Sequence, residues 1–367
     1  MSWSLRLGRF FGIDVFVHVT FLLVLGFLAV AYWMAERDLL RVVEGLVFFL
    51  AIFLCVLLHE YGHALMARRY GVKTRDITLL PIGGLARLER FPQEPIQELW
   101  IALAGPAVNV VIAGLLALGL TLGQAWQPLD GLSPVAGGFA ERLLVLNVFL
   151  VLFNMLPAFP MDGGRVVRSL LAMRLGFARA TRIAATLGQG MAFLFALVGL
   201  LAPMPMLLLI ALFVWIGAAQ EAGAAEFKSS LRGVTVERAM MTDFHALEPD
   251  DSLGRAVQLI LAGSQQDFPV VAGGQVIGVL TRRALLEGLA KGGPITPVGQ
   301  AMKTQVELAH PDEMVEDALA RGRAQELPLL PVMRDQQLVG LLTVENLSEY
   351  VAIQAALQGR RGVAGTR

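Results

Sequence analysis

The chain has 367 residues, of which 56% are hydrophobic, and its mean hydropathy of +0.63 is typical of proteins that lie partly within a lipid bilayer. Thirty basic and 30 acidic residues give a formal net charge of zero, so no global signal for nucleic-acid binding exists. The single cysteine, Cys55, excludes an intramolecular disulfide and a cysteine-rich metal site.

Six apolar stretches in the first 225 residues predict membrane-spanning helices. They cover about 14–35, 44–66, 99–122, 140–157, 186–202 and 206–220. Several are long enough to cross a hydrocarbon core of ~30 Å, whereas the fourth and the last two are short. Pro203-Met204-Pro205 separates the last two and favours a tight hairpin, because both prolines lack a backbone donor; one long kinked helix is the alternative.

Basic residues are concentrated in alternate loops between these predicted spans. They precede the first span and follow the second and the fourth, whereas the opposite loops hold only Arg37 and Arg41. The positive-inside rule therefore places both termini in the cytoplasm, which an even number of spans allows. The sequence predicts a multi-pass protein of the cell (inner) membrane.

The second predicted span ends in His59-Glu60-Tyr61-Gly62-His63, a His-Glu-x-x-His pattern. Residues four apart share a helix face, so His59 and His63 can hold one zinc ion, and Glu60 is placed to act as general base toward water bound there. A chance match at a helix end is the alternative. It is disfavoured because ionisable groups within a bilayer are costly unless they have a partner or a function.

A catalytic zinc ion needs a third protein ligand if one position is to stay open for water. The segment "NMLPAFPMDGGR" at 154–165 offers Asp162, at the cytoplasmic end of the fourth span and on the same membrane side as the two histidines. Pro157 and Pro160 interrupt the helix there, and Gly163-Gly164 allow close backbone approach. Asp162 as a simple helix N-cap is the alternative; the missing third ligand favours the metal.

These patterns resemble the site-2 protease family of intramembrane zinc metalloproteases. Between the two motifs already described, "PIGGLARLER" at 81–90 is similar to the family's Gly-Gly hairpin and "AGPAVN" at 104–109 to its Gly-Pro-x-x-Asn motif. The resemblance covers about residues 1–225. It implies a zinc metalloendopeptidase in which one zinc ion is bound by His59, His63 and Asp162, and water is activated by Glu60.

The resemblance also implies that Asn154 contributes near the site, to substrate binding or oxyanion stabilisation. The substrates that the resemblance implies for the protease are transmembrane or membrane-anchored segments, cleaved in regulated intramembrane proteolysis. The Gly83-Gly84 hairpin either pairs with an extended substrate segment as an added strand or is a surface loop with no substrate role.

A duplication with a fixed offset of 62 residues begins after about Leu231. Met240 matches Met302, Gly278 matches Gly340, and Thr281 matches Thr343. Each copy is predicted to contain strand, helix, strand, turn, strand and helix, which makes this part a soluble α/β module. The expected organisation is a membrane domain at 1–225, a linker at 226–233, two repeat copies at 234–292 and 296–352, and a flexible tail at 353–367.

This duplication resembles a tandem pair of CBS domains, which often bind adenine nucleotides between the copies and often self-associate. Candidate nucleotide-binding residues are Thr281, Arg282 and Thr343. The family usually has an aspartate three residues after each threonine, where this chain has Ala284 and Asn346. A module that only forms a homodimer or gates the membrane site is therefore an open alternative.

Two other functions are compatible with parts of this sequence. CBS pairs also regulate ion channels and transporters, and intramembrane ionisable residues serve transport too. Against transport, the membrane domain shows no internal repeat, and His-Glu-x-x-His suits hydrolysis better than permeation. A catalytically inactive scaffold is disfavoured because Glu60 is intact.

Overall fold

A computed structural model describes residues 4–81, 83–88, 94–123, 137–263, 265–324 and 327–364. The chain divides into two compact units, Met1–Ala225 and Glu226–Arg367. The expected fold class, a polytopic helical membrane domain followed by a soluble α/β module, is confirmed.

The helices that begin in the first unit are α1 Val19–Glu36, α2 Leu39–Arg69, α3 Pro95–Leu122, α4 Phe139–Asn154, α5 Asp162–Leu175, α6 Phe177–Leu201 and α7 Pro205–Ser230. Five of them, namely α1, α2, α3, α6 and α7, are long and apolar enough to cross a membrane. Helix α4 has 16 residues, which is a rise of about 24 Å and less than a full hydrocarbon core.

Several predicted span boundaries were wrong. Residues 14–18 form a strand rather than the start of the first helix, and α4 ends at Asn154 instead of running to 157. The helix of the fifth span starts at Phe177, nine residues earlier than predicted. Its first turns are polar, so the apolar pattern did not include them. The predicted hairpin at 203–205 is confirmed, since α6 ends at Leu201 and α7 begins at Pro205.

A four-stranded sheet packs against α2. Its strands lie in the order β1 (Ser4–Phe10), β2 (Ile13–His18), β3 (Thr74–Leu80) and β4 (Gly83–Leu88). Strands β2 and β3 are parallel and are joined through α1 and α2, whereas the other two pairings are antiparallel. Buried Val15 and Ile77 contact Tyr61 and Ala64 of α2, so the sheet holds the helix that carries the histidine motif.

The second unit contains the two repeat copies. The first has α8 Val236–Ala239, α9 Leu253–Ala262, β5 Phe268–Ala272, β6 Gln275–Leu280 and α10 Arg282–Gly292. The second has α11 Val298–Ala301, α12 Val315–Ala324, β7 Leu329–Arg334, β8 Gln337–Thr343 and α13 Val344–Ala364. The first predicted strand of each copy is reduced to one parallel bridge, Leu247 with Val270 and Ala309 with Val332.

The offset of 62 residues is also a structural symmetry. The bridge between Met241 and Leu341 has its counterpart between Lys303 and Val279, with the copies exchanged. A Cβ atom on Gly340 would lie 2.6 Å from the Met240 sulfur. The equivalent Gly278 has the same relation to Met302, so the repeated glycines and methionines are packing partners across the two copies.

Two segments next to the module differ from the expected organisation. Residues 226–230, assigned to a linker, are the last turn of α7. Residues 353–364, assigned to a tail, continue α13 as a helix. Residues 365–367 lie outside the described residues.

Candidate zinc centre

Helix α2 and the first residue of α5 bring three candidate metal ligands together. His59 and His63 lie one turn apart on α2, and Asp162 begins α5. Each pair of their atoms is almost equally spaced: 3.0 Å between the two histidine Nε2 atoms, and 3.1 Å from each Nε2 to Asp162 Oδ2. All three residues are buried.

This triangle fits a tetrahedral zinc ion. Ligand distances of about 2.0–2.1 Å at tetrahedral angles separate neighbouring ligand atoms by about 3.3–3.4 Å, close to the spacing observed. His59 Nδ1 lies 2.6 Å from Asn109 Oδ1, and His63 Nδ1 lies 2.7 Å from the Ile101 carbonyl oxygen. Both Nδ1 atoms therefore donate, and a neutral ring at either position presents its Nε2 lone pair toward the carboxylate, which is the arrangement that a bound cation requires.

The absence of a side chain at Gly105 leaves room for that cation. A Cβ atom there would lie 2.5 Å from His63 Cε1 and 2.7 Å from His59 Nε2, and closer still to His63 Nε2. Gly62 has a related role, since its Cβ would lie 2.6 Å from the Ala104 carbonyl oxygen. The two glycines let α2 and α3 approach closely around the histidines.

A proline-interrupted segment carries Asp162 to the histidines. Helix α4 ends at Asn154 and α5 starts at Asp162, so the break predicted from the two prolines is present. A Cβ atom on Gly163 would lie 2.5 Å from the Met155 carbonyl oxygen, and one on Gly164 would lie 2.7 Å from the Ala158 carbonyl carbon. The two glycines are needed for this close backbone contact, as expected.

A buried ionic cluster, the arginine triad, fixes the helix that begins with Asp162. Arg168 of α5 donates to Glu98 of α3 at 2.9 Å and to Glu221 of α7 at 2.8 Å. The Arg168 side chain is only 3% exposed and also lies over the rings of Phe159 and Phe177. The triad therefore ties α5 to two neighbouring helices, six residues after the candidate ligand.

Glu60 faces strand β4. A Cβ atom on Gly84 would lie 2.5 Å from Glu60 Cγ and 3.2 Å from Glu60 Oε1. The Gly-Gly pair of the hairpin therefore allows the strand to pass directly over the candidate base. Residues 82, 89 and 90 of the hairpin segment lie outside the described residues.

Comparison with known proteins identifies the family. Residues 47–133 and 136–198 match the model of peptidase family M50. Over 280 residues the chain is 35% identical to a protein named zinc metalloprotease MJ0392 from Methanocaldococcus jannaschii, covering 76% of this chain and 78% of that one. The chain belongs to peptidase family M50. It is a zinc metalloendopeptidase of the site-2 protease type, which decides against the transporter and scaffold alternatives.

Other comparisons of the M50 chain cover both of its units. A protein named putative zinc metalloprotease sll0528 from Synechocystis is 29% identical, over 96% of this chain and 93% of its own length. A solved structure titled site-2 protease from Methanocaldococcus jannaschii is 36% identical, covers 60% of this chain and 95% of that one, and gives a TM-score of 0.45. Residues 236–291 match the CBS domain model, which confirms the CBS resemblance.

Two asparagines of the M50 motifs have different hydrogen-bond partners in the structure. Asn154, the last residue of α4, donates its side-chain amide to the Leu150 carbonyl oxygen of its own helix. The motif "AGPAVN" ends in Asn109, whose contact with His59 was not anticipated. The sequence does contain a signal for it, because an asparagine in an apolar membrane-spanning helix requires a specific partner, and Asn109 is fully buried in the structure.

A cavity of about 760 Å³ lies between the CBS copies. Thr281 and Arg282 line it, together with Asp267, Arg283, Leu286, Glu287, Lys303, Leu327 and Pro328. Three cationic and two acidic side chains give this lining a net positive charge. The Thr281 hydroxyl accepts from the Ala284 amide, and Thr343 accepts likewise from Asn346, so each threonine also caps a helix.

Proposed function

We propose that this M50 protein hydrolyses peptide bonds in transmembrane or membrane-anchored segments, as in regulated intramembrane proteolysis. The observation that carries the proposal is the buried triangle of His59, His63 and Asp162, with Glu60 directly after His59 in α2. In this proposal the triangle holds one zinc ion per chain. The apolar helices around it supply the bilayer setting in which such substrates reside.

The proposed chemistry divides between the metal and Glu60. When bound, zinc supplies a Lewis acid that polarises water and the scissile carbonyl. Glu60 accepts a proton from the attacking water as its oxygen bonds to the carbonyl carbon. The same carboxyl then gives that proton to the leaving nitrogen as the C–N bond breaks.

The substrate segment pairs with β4 as an added strand. Among the described strands β4 pairs with β3 alone, which leaves its other edge for a substrate. The passage of Gly84 over Glu60 supports this, because a strand along that edge lies near the base. Asn154, at the end of α4, assists substrate or oxyanion binding in this proposal.

Both termini lie in the cytoplasm, and the protein resides in the cell membrane. The arginine-rich segments after α2 and α4 support this orientation. It requires an even number of membrane passes, so α4 serves as a sixth pass despite its 16 residues. The proline-broken segment after α4 then gives water a short route from the cytoplasmic face.

The CBS module regulates the protease and binds an anionic nucleotide. The positively charged cavity lined by Thr281 and Arg282 supports a phosphate-bearing ligand, and an adenine nucleotide is the class that the resemblance implies. Thr343 belongs to the equivalent position of the other copy. Two chains associate through this module, where Leu261 and Ile295 are 82% and 85% exposed.

Glu60→Gln tests the protease function directly. We expect zinc content to stay at one ion per chain, while cleavage of a model transmembrane substrate in liposomes is lost. Glu44→Gln, in the same helix but in an exposed ion pair with Arg41, is the matched control and should cleave normally. Equal cleavage by Glu60→Gln and the control would refute Glu60 as the base.

A further inference from the structure

Two fully buried asparagines lie behind the candidate zinc ligands. Asn109 of α3 and Asn147 of α4 are both 0% exposed. Asn109 Nδ2 lies 2.8 Å from Asn147 Oδ1, and Asn109 Oδ1 lies 2.6 Å from His59 Nδ1. A chain of hydrogen bonds therefore runs from α4 through α3 to a candidate ligand.

The chain of hydrogen bonds has one direction because it starts at a backbone carbonyl. Asn147 Nδ2 donates to the Leu143 carbonyl oxygen at 2.8 Å and, more weakly, to Cys55 Sγ at 3.4 Å. A carbonyl oxygen only accepts, so the Asn147 NH₂ group faces Leu143 and its Oδ1 faces Asn109. Asn109 must then donate Nδ2 and present Oδ1 to His59. The proton of His59 therefore lies on Nδ1, and the Nε2 lone pair is left for the metal.

The second histidine is held in a different way. His63 Nδ1 donates to the carbonyl oxygen of Ile101, which is a backbone atom. Substitution of Ile101 leaves that acceptor in place. The orientation of His59, in contrast, depends on the side-chain amides of Asn109 and Asn147. Of these two, only Asn147 is oriented by a backbone group, the Leu143 carbonyl.

We propose that Asn147 is a positioning residue for the metal site, acting through Asn109 on His59. Without an acceptor at position 147, the Asn109 amide is free to turn over and present its NH₂ group to His59. That favours the tautomer with the proton on Nε2, which has no lone pair on Nε2 for zinc. The inference rests on the proposed zinc site and adds a contribution of α4 to it.

The test measures zinc affinity of the purified full-length protein in detergent, by competition with a chelator. Asn147→Leu keeps the branched shape of the side chain but has no hydrogen-bonding atoms, so we expect affinity to fall about 10–100-fold, as for other ligand-orienting partners. Asn147→Asp, as the neutral acid, still donates to Leu143 and accepts from Asn109, so it should restore most of the affinity. Substituted Co²⁺ should show an altered visible spectrum only in Asn147→Leu.

The matched control is Thr181→Val in α6. Thr181 is also 0% exposed and bonds only to the Phe177 carbonyl of its own helix among the contacts described, so its removal should leave zinc affinity unchanged. Equal zinc affinity in wild type and Asn147→Leu would overturn the inference and leave the proposed function intact. No zinc binding by wild type would instead overturn the proposed function.

A measurement on wild type avoids any folding defect of the variants. Nitrogen-15 spectra of labelled histidine in the metal-free protein should show His59 protonated on Nδ1. A proton on Nε2 of His59 with none on Nδ1 would overturn the inference even if Asn147→Leu failed to fold.

Discussion

Gly105→Ala should abolish tight zinc binding while leaving the helix that carries it intact. The added Cβ would lie 2.5 Å from His63 Cε1 and 2.7 Å from His59 Nε2, where real Cβ contacts essentially never fall below 3.0 Å. The His63 ring must therefore retreat by at least about 0.5 Å. Zinc sites tolerate deviations of only about 0.2 Å in ligand distance, so the ligand set is broken.

We expect zinc affinity to fall about 100-fold or more. Loss of a hydrogen-bond partner of a metal ligand costs about 10–100-fold, and displacement of the ligand itself should cost at least as much. The substitution should not weaken the helix itself, because alanine has a higher intrinsic helix propensity than glycine by about 0.5–1 kcal/mol in a helix interior. Chelator competition in detergent measures the affinity, and thermal unfolding of the metal-free protein measures the fold.

Gly114→Ala is the matched control for this substitution. Gly114 lies in the same helix, α3, and a Cβ atom there meets nothing within 4 Å. It should bind zinc like wild type. If Gly105→Ala bound zinc as tightly as Gly114→Ala, the metal would not lie between the two histidines, and the site would be wrongly assigned.

Three further outcomes follow from the structure. Arg168→Met leaves the two glutamates of the triad without their buried partner, so the free energy of unfolding in detergent should fall by about 3–5 kcal/mol. Arg174, in the same helix, is exposed, so Arg174→Met should change the free energy of unfolding little. Gly84→Ala pushes the Glu60 carboxylate aside, so cleavage should fall while zinc content is retained; unchanged cleavage would contradict the placement of β4 over the base. Burial raises the pKa of Asp267, so its native state holds the proton more tightly than the unfolded chain, and stability falls as pH rises from the unfolded to the folded pKa. Asp267→Asn keeps an acceptor for the Arg282 amide, so the loss of stability with rising pH should disappear when melting is measured across this pH range. If the loss of stability persisted in Asp267→Asn, another group would be its cause.

The sequence carried the local and periodic features of this protein. The spacing of His59 and His63 on one helix face, the helix break before Asp162 and the offset of 62 residues are each contained in a short segment or a repeat. Local spacing and backbone chemistry are enough to predict such features. The wrong boundaries, such as the start of the first span, arose where apolar strand and helix segments have the same composition.

Relations between distant segments were decided by the tertiary structure. Asn109 contacts His59 across 50 positions, and Arg168 reaches Glu98 and Glu221 on two other helices. Gly105 leaves space for a metal only because α2 and α3 pack closely at that level. The residue pattern shows which groups are available for zinc chemistry. Packing of α2, α3 and α5 sets which of these groups meet, because contact across a helix interface depends on the rotation and depth of each helix, which no local pattern encodes.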